Sequence, residues 1–200
     1  METLLPALRL RPEAGPIDPL ALMPEARELW LEIGFGGGEH MAEQAARRPE
    51  LLILGAEPFE NGVASALRHI EARGLKNIRL HPGDGRELMA ALTDGCCERI
   101  FILFPDPWPK ERHHKRRLVN PRTARDLARL LKPGGRLRFA TDWADYAERA
   151  LEALLAEPRL AWTAKAADDW RVPPADHVAT RYQEKALGDC APVFLDFVRV

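Results

Sequence analysis

A glycine-rich turn near the start of the chain is the first segment whose residues could do chemistry. Residues 32–39 read Glu-Ile-Gly-Phe-Gly-Gly-Gly-Glu, after a short apolar run and before a helical pattern. Glycines at such a turn let the backbone come close to a ligand. The fingerprint of a dinucleotide-binding turn requires a third glycine at position 39, whereas the carboxylate of Glu39 would repel a pyrophosphate. The turn predicts a nucleotide-like ligand without a pyrophosphate, and a glycine turn with no ligand is the alternative.

Carboxylates follow the next two predicted strands at positions that suit the same ligand. Glu57 ends the second strand about 20 residues after the glycine turn, where an acid can accept hydrogen bonds from ribose hydroxyls. Asp84 follows the third strand and is placed to accept from an adenine amino group. Each acid also has a simpler interpretation, Glu57 as a charge at a helix N-terminus and Asp84 as a turn or cap residue. Together they favour S-adenosylmethionine, whose positive charges tolerate Glu32 and Glu39 nearby.

A proline-rich loop with a basic run follows the fourth predicted strand. Asp106 stands between two prolines that restrict its backbone, and it is the first choice for a carboxylate that contacts the substrate, with a structural turn as the alternative. Residues 110–117 hold five of the 29 Lys and Arg residues and one of the 30 Asp and Glu residues, which leaves 24 basic against 29 acidic residues elsewhere. A cationic patch on an acidic body is typical of a contact with a phosphate backbone. A solvated face is the alternative for this run.

Strand and helix patterns alternate along the chain and predict the fold that positions these loops. Strand-like runs occupy residues 29–33, 51–56, 77–80, 99–104 and 136–140, helical patterns lie near 39–48 and at 59–73, 86–92, 122–131 and 144–155, and residues 192–200 alternate as a late antiparallel strand does. Repeated strand-helix units predict an α/β, Rossmann-like fold, with a mostly parallel sheet and helices on both faces. In such sheets ligands bind at the carboxyl ends of the strands, where the loops described above lie.

The N-terminal segment is expected to differ from the rest of the chain. Residues 1–25 contain five prolines, so we expect a loosely held arm with little regular structure, followed by a single domain over residues 26–200. No apolar run approaches the roughly 20 residues of a membrane span, and the start lacks a signal-peptide pattern, so we expect a cytoplasmic protein with no membrane partner. Cys96, Cys97 and Cys190 lack the spacing of zinc or redox sites, so we expect free thiols and no bound metal.

The glycine turn and the block at residues 105–117 together resemble the bacterial tRNA (guanine-N(7)-)-methyltransferases of the TrmB type. The matching segments are residues 32–36, 105–110, 112–117, 141–142 and 180–182, and the resemblance covers about residues 28–200. The glycine turn is shared with many methyltransferases, whereas the 105–117 block is close to a family signature. The resemblance implies the class I fold of S-adenosylmethionine-dependent methyltransferases, with S-adenosylmethionine as cofactor and tRNA as partner.

The resemblance also implies roles for individual residues. Contacts with S-adenosylmethionine are implied at Glu32, Gly34, Gly36, Glu57, Asp84 and Asp106, and Asp106 is also implied to be catalytic. Substrate binding is implied at Lys110, Asp142, Thr180, Arg181, Tyr182 and Gln183, and contact with the RNA at Arg112, His113, His114, Lys115, Arg116 and Arg117. Two positions depart from the family. Gln183 replaces the usual glutamate, which leaves its role open, and Gly85 replaces a common alanine, which we expect to change little.

The implied reaction is methyl transfer to N-7 of a guanine in the variable loop of tRNA. Guanine N-7 has a free lone pair and can attack the methyl group in line, so no general base is required. Because the product ring is cationic, we expect Asp106 to position the guanine and stabilise positive charge, with Asp142 as the second choice. Trp108 either wedges the loop or stacks on RNA, and Tyr182 either engages the substrate or belongs to the core.

Two other functions remain to be compared with this one. An NAD-dependent oxidoreductase shares the fold class, but Glu39 and the lack of an obvious catalytic Lys, Tyr or His disfavour it. A noncatalytic RNA-binding module would use the basic loop and leave the glycine turn empty. Binding of S-adenosylmethionine separates the last hypothesis from the enzyme.

Overall fold

A seven-stranded sheet forms the centre of the computed structural model, which describes residues 4–185 and 187–200. The strands are β1 (Glu28–Ile33), β2 (Leu51–Ala56), β3 (Ile78–His81), β4 (Cys97–Leu103), β5 (Leu131–Thr141), β6 (Leu160–Trp162) and β7 (Val193–Arg199). Their order across the sheet is β3-β2-β1-β4-β5-β7-β6. Strands β1 to β5 pair in parallel, and β7 is antiparallel to both β5 and β6. The predicted sheet is confirmed. The short β6 was not predicted, and β5 begins five residues before its predicted start at residue 136.

Helices connect the strands at the predicted places. They are α1 (Leu4–Leu8), α2 (Pro19–Leu22), α3 (Glu39–Arg47), α4 (Glu60–Arg73), α5 (Gly85–Ala91), α6 (Pro121–Leu130), α7 (Ala144–Leu155), α8 (Asp168–Arg171) and α9 (Arg181–Lys185), with 3-10 turns η1 (Pro12–Ala14) and η2 (Glu111–Arg116). The five longer helices, α3 to α7, each lie within one residue of their predicted bounds. Local chemistry sets these ends: Asn120 caps α6 through its side chain, and α4 stops at Gly74, whose φ is +61°.

Alternate residues of the central strands face opposite sides of the sheet and build two cores. In β1, Leu29, Leu31 and Ile33 pack with apolar residues of α5, α6 and α7. Trp30, between them, packs on the other side with residues of α3 and α4. Because both faces are covered, most residues of the central strands are apolar, as the sequence predicted. The predicted helices on both faces are confirmed.

The N-terminal arm is held against this body, and the prediction that it is loosely held is wrong. The N–H of Leu10 donates to the carbonyl of Leu80 at 2.7 Å, beside the edge strand β3, and Ile17 donates to Ala91 at 2.9 Å. Leu8, Leu10 and Ile17 are buried in the two cores. The prolines do limit the arm to short elements, but the apolar residues between them gain from burial.

None of the described helices is long and apolar enough to cross a membrane.

Candidate active site

The glycine turn after β1 adopts backbone angles that favour glycine. The φ angles are +74° at Gly34, +53° at Gly36 and +81° at Gly38. A Cβ at Gly34 or Gly36 would meet no atom within 4 Å, so open space lies beside these two residues. A Cβ at Gly38 would instead lie 2.7 Å from the Cβ of Ala66 in α4. Two of the glycines thus leave room for a ligand, and the third allows two helices to pack closely.

Glu57 braces this turn from the end of β2. It is buried, and its two oxygens accept the N–H groups of Gly36 and Phe59, each at 2.9 Å. Gly62 of α4 packs on the same turn, because a Cβ there would lie 2.5 Å from the carbonyl oxygen of Gly36. Burial raises the pKa of Glu57, the two N–H donors oppose that rise, and the negative charge of Asp106 adds to it. The charges of Glu57 and Asp106 therefore interact, while a contact of Glu57 with ribose hydroxyls stays a prediction.

Asp84 caps the helix that follows β3. Its carboxylate accepts the N–H of Arg86 at 2.9 Å and pairs with the guanidinium of Arg86 at 3.1 Å. The simpler interpretation from the sequence is thus the one observed, and a contact of Asp84 with a cofactor stays a prediction. Gly85 packs directly on β1, because a Cβ there would press on Cγ2 of Ile33. An alanine here would require the side chain of Ile33 to shift, and the expectation that glycine at position 85 changes little stays a prediction.

Glu32 begins a buried chain of hydrogen bonds that the sequence did not predict. Its Oε2 lies 2.7 Å from Nδ1 of His40, and Nε2 of His40 lies 3.3 Å from the amide nitrogen of Gln44. That amide donates to the backbone carbonyl of Asp176 at 2.9 Å. His40 and Gln44 are four residues apart and share one face of α3, so the spacing was a signal for their proximity. Glu32 is a buried link in this chain, and its predicted cofactor contact stays untested.

Asp176 continues the chain into the sheet. Its carboxylate accepts from Arg138 of β5 at 2.6 Å and from Arg99 of β4 at 2.7 Å, while Arg138 also pairs with both oxygens of Asp196 in β7. Burial alone would raise the pKa of Asp176, but the hydrogen bonds and charges of the two arginines outweigh it and hold that pKa far below its ordinary value. No sequence spacing relates these four residues, so only the fold reveals them.

The proline-rich loop after β4 holds Asp106 on a constrained backbone. Phe104 and Trp108, on either side of the two prolines, have positive φ angles of +50° and +44°, which are rare for bulky residues. Asp106 between them is exposed. Trp108 packs edge-on against His113 at 5.9 Å and lies under the guanidinium of Arg116 at 4.8 Å. These contacts favour the wedge interpretation of Trp108.

Arg117 is part of the loop's interior, which contradicts its predicted contact with RNA. Its side chain is 4% exposed, and it donates to the carbonyl of Pro107 at 2.8 Å and to Asp145 of α7 at 2.5 Å. The guanidinium also lies 4.9 Å from the ring centre of Tyr146. Counting charges along the sequence could not separate this buried arginine from its exposed neighbours. Arg117 therefore fixes the end of the proline-rich loop onto α7.

The other basic residues of the loop are accessible. Lys110, Arg112, Lys115 and Arg116 are exposed, and His113 and His114 are half-buried. They lie on or next to η2, a turn that the sequence analysis treated as loop. The structure thus keeps the predicted cationic surface, reduced by Arg117.

The predicted substrate residues lie on two further segments. Asp142, after β5, accepts the N–H of Gly188 through its carboxylate and the N–H of Cys190 through its carbonyl, both at 3.0 Å. Thr180 accepts the N–H of Gln183 at 3.3 Å at the start of α9. Tyr182 is 50% exposed, so it does not belong to the core. Arg181 is exposed as well.

Gln183 has a defined partner. Its Oε1 lies 2.6 Å from Nε2 of His177, whose ring packs edge-on against Phe194 at 4.9 Å. Burial lowers the pKa of His177, which favours a neutral imidazole. A neutral amide suits a neutral imidazole, so the glutamine at this position is consistent with its surroundings.

Comparison with known proteins identifies the family. The model of a family described as "Putative methyltransferase" matches residues 26–194. The tRNA (guanine-N(7)-)-methyltransferase of Caulobacter vibrioides (strain NA1000 / CB15N) is 60% identical over 199 residues, covering 100% of this chain and 87% of the relative. The chain belongs to the tRNA (guanine-N(7)-)-methyltransferase family. A relative of the same name from Hyphomonas neptunium is 51% identical and covers 98% of this chain and 90% of its own length. The resemblance found in the sequence is confirmed.

Solved structures of more distantly related methyltransferases have the same fold as this protein. The 16S rRNA (adenine(1408)-N(1))-methyltransferase from Catenulisporales acidiphilia gives a TM-score of 0.62 at 19% identity, covering 96% of this chain and 93% of that one. An antibiotic-related methyltransferase gives 0.61 at 14% identity, covering 96% and 95%. The predicted class I fold is therefore confirmed.

The donor groups of the site suit an organic ligand. Within residues 4–185 and 187–200, no group of three or more His, Cys, Asp or Glu side chains could hold a metal ion. The three cysteines are free thiols, and the sulfurs of Cys96 and Cys97 lie 3.6 Å apart. The open space at Gly34 and Gly36 lies next to the carboxylate of Glu57, which accepts the N–H of Gly36, and it fits a ligand that carries hydroxyl groups.

We predict that Arg117→Ala destabilises this methyltransferase family member by about 2 kcal/mol, because it removes charged hydrogen bonds from a buried position. Lys115→Ala, two residues earlier on the exposed face, is the matched control and should change the free energy of unfolding by less than about 0.5 kcal/mol. Urea unfolding of both variants measures the difference. Equal stabilities would show that the contacts of Arg117 with Pro107 and Asp145 do not stabilise the fold.

A second prediction concerns the pH dependence of Asp176. Because the folded state lowers this pKa below the ordinary 3.8, the ion pairs stabilise the fold at neutral pH and lose their effect only as pH falls below that value. The stability difference between the natural protein and Asp176→Asn should therefore be constant from about pH 7 to pH 5. Unfolding at several pH values measures it. A difference that already shrinks near pH 6 would point to a histidine and overturn the assignment.

Proposed function

We propose that this chain transfers the methyl group of S-adenosylmethionine to N-7 of a guanine in the variable loop of tRNA, in the cytoplasm. The observation that carries the proposal is the glycine turn with open space at Gly34 and Gly36, which the buried carboxylate of Glu57 braces through the N–H of Gly36. The negative charge of Asp106 helps to raise the pKa of that carboxylate. Membership of the tRNA (guanine-N(7)-)-methyltransferase family supports the choice of reaction.

The residues around the turn would hold the donor. Glu57 is fixed by two N–H donors and retains further lone pairs for ribose hydroxyls. The carboxylates of Glu57 and Asp106 supply negative charge where a cationic donor needs it, and no pyrophosphate would bind beside them. When bound, S-adenosylmethionine supplies a methyl group on a positively charged sulfur, which the lone pair of a neutral ring nitrogen can attack in line.

Asp106 is the proposed catalytic residue. Guanine N-7 carries no proton, so the carboxylate has no proton to remove. Its role is electrostatic: the guanine ring becomes positively charged as the new bond forms, and a negative charge held nearby stabilises that state. The two positive-φ residues around Asp106 and the anchor at Arg117 keep the loop in one shape. A carboxylate that is already in place need not reorganise during the reaction.

The remaining predicted residues form the substrate side of the proposal. Asp142 is fixed by the 187–190 segment, and Lys110, Arg181 and Tyr182 are exposed and available to an RNA. Thr180 and Gln183 shape the start of α9. The exposed cations of η2 would meet the phosphate backbone, with Arg117 behind them as a support.

Methyl transfer from labelled donor to bulk tRNA, followed by nucleoside analysis, tests the proposal. We expect the label in 7-methylguanosine. Label in another nucleoside would contradict the choice of N-7. Binding of tRNA without transfer, and without donor binding by calorimetry, would favour the noncatalytic RNA-binding module. Tighter binding of NAD than of S-adenosylmethionine would favour the oxidoreductase.

We predict that Asp106→Asn slows the transfer step by roughly two to three orders of magnitude, comparable with the loss of one preorganised electrostatic contact. Single-turnover methylation at saturating donor and tRNA isolates that step. Glu111→Gln, which removes an exposed negative charge from the same loop, is the matched control and should react at the natural rate. If both variants are equally fast, Asp106 only shapes the loop and Asp142 becomes the candidate.

A further inference from the structure

A groove of about 560 Å³ lies between α5, α6 and η2, beside the basic loop. It is lined mainly by polar side chains, among them Arg86, His114, Lys115, Asn120, Arg122 and Asp126. The groove begins where α5 begins, directly after Asp84 at the carboxyl end of β3. It therefore continues the proposed active-site edge of the sheet along the surface of the molecule.

The charges in this groove favour an anion. Arg86, Lys115 and Arg122 are cations, and Asp126 is the single carboxylate among the lining residues. Within the described part of the chain, no carboxylate lies within ion-pair distance of Lys115 or Arg122, and the partner of Arg86 is Asp84. Nε2 of His114 is buried without a hydrogen-bond partner, 3.6 Å from an oxygen of Asp145. Lys115 and Arg122 are thus the two cations left for a ligand to pair with, whereas the buried Nε2 of His114 lies near Asp145.

Hydrogen bonds join the segments that form the walls of the groove. The side chain of Asn120 accepts the N–H groups of Arg122 and Thr123 and donates to the carbonyls of Arg117 and Leu118. The first turn of α6 is therefore already capped, and its cationic character comes from side chains. Arg86 donates to the carbonyl of Arg116 at 3.2 Å, which joins α5 to η2.

We propose that this groove binds the phosphate backbone of tRNA and extends the RNA contact beyond residues 110–116 to Arg86 and Arg122. The three cations come from three different elements and spread along the groove, which suits a chain of phosphates better than one small anion. The groove is also continuous with the exposed cations of η2. The inference rests on the proposed function, since it assumes that the polyanion is tRNA.

Salt-dependent binding of tRNA in the absence of donor tests the groove separately from the reaction. Arg122→Ala should lower the slope of log affinity against log salt by about one and weaken binding about three- to tenfold near physiological salt. Arg125→Ala removes the same charge from the same helix, outside the groove, and is the matched control that should leave the slope unchanged. Asp126→Asn removes the opposing carboxylate and should strengthen binding. In all three variants, the affinity for the donor and the single-turnover rate at saturating tRNA should equal those of the natural protein.

Several outcomes would overturn the groove. An unchanged slope for Arg122→Ala, or an equal loss for Arg125→Ala, would show that no local phosphate contact exists there. Millimolar inorganic phosphate could also weaken tRNA binding by the natural protein. If it does so as strongly as Arg122→Ala does, the groove is a site for a small anion. A failure of the proposed function is distinguishable, since it would show as absent methyl transfer by the natural protein whatever the binding slopes are.

Discussion

Buried charge that must be paired is the constraint on which this molecule depends. The hydrogen-bond chain from Glu32 through His40 and Gln44 reaches Asp176, which is paired with Arg138 in the sheet. A buried charged or polar group is costly unless it is paired or hydrogen-bonded, so each buried member of this network needs its neighbour in place. Since the members come from β1, α3, β5 and the segment before α9, satisfying them fixes those elements relative to one another. The glycine turn and the predicted substrate segment are thereby held by one network.

The proline-rich loop uses the same principle at the surface. Asp106 is exposed, and none of the described residues donates a hydrogen bond to it as two N–H groups do to Glu57, so its position depends on its backbone. Positive φ angles at Phe104 and Trp108 store strain that neighbouring contacts must offset. Arg117 supplies such a contact by holding the loop's carbonyl and a carboxylate of α7 at once. The buried guanidinium of Arg117 thus helps to fix the position of the exposed carboxylate of Asp106.

Hydrophobic periodicity predicted most helices and strands correctly, because the burial of one face of each element determines which positions along it are apolar. The five longer helices and six of the seven strands follow from local pattern. The prediction of a loosely held N-terminal arm was wrong, because it rested on the prolines and not on the apolar Leu8, Leu10 and Ile17, which are buried. The site was predictable where a residue follows a strand end, as Glu57 and Asp106 do. It was not predictable for Arg117 or Asp176, because neither a count of charges nor a spacing states which side chain turns inward.

The proposed donor side of the site and the proposed RNA side need opposite charge, and they meet where Arg86, paired with Asp84, donates to the carbonyl of Arg116. At physiological ionic strength screening acts over about 8 Å, so acids meant for a cationic donor would also repel phosphates placed close by. The ion pair of Asp84 with Arg86 lies between the two regions: the carboxylate ends the row of acids, and the guanidinium reaches over to η2. Within this ion pair each charge weakens the field of the other. The negative charge of Asp84 then acts less on the RNA side, and the positive charge of Arg86 acts less on the donor side. A chain with a net charge of −1 can therefore present an acidic pocket and a basic surface on one edge of one sheet.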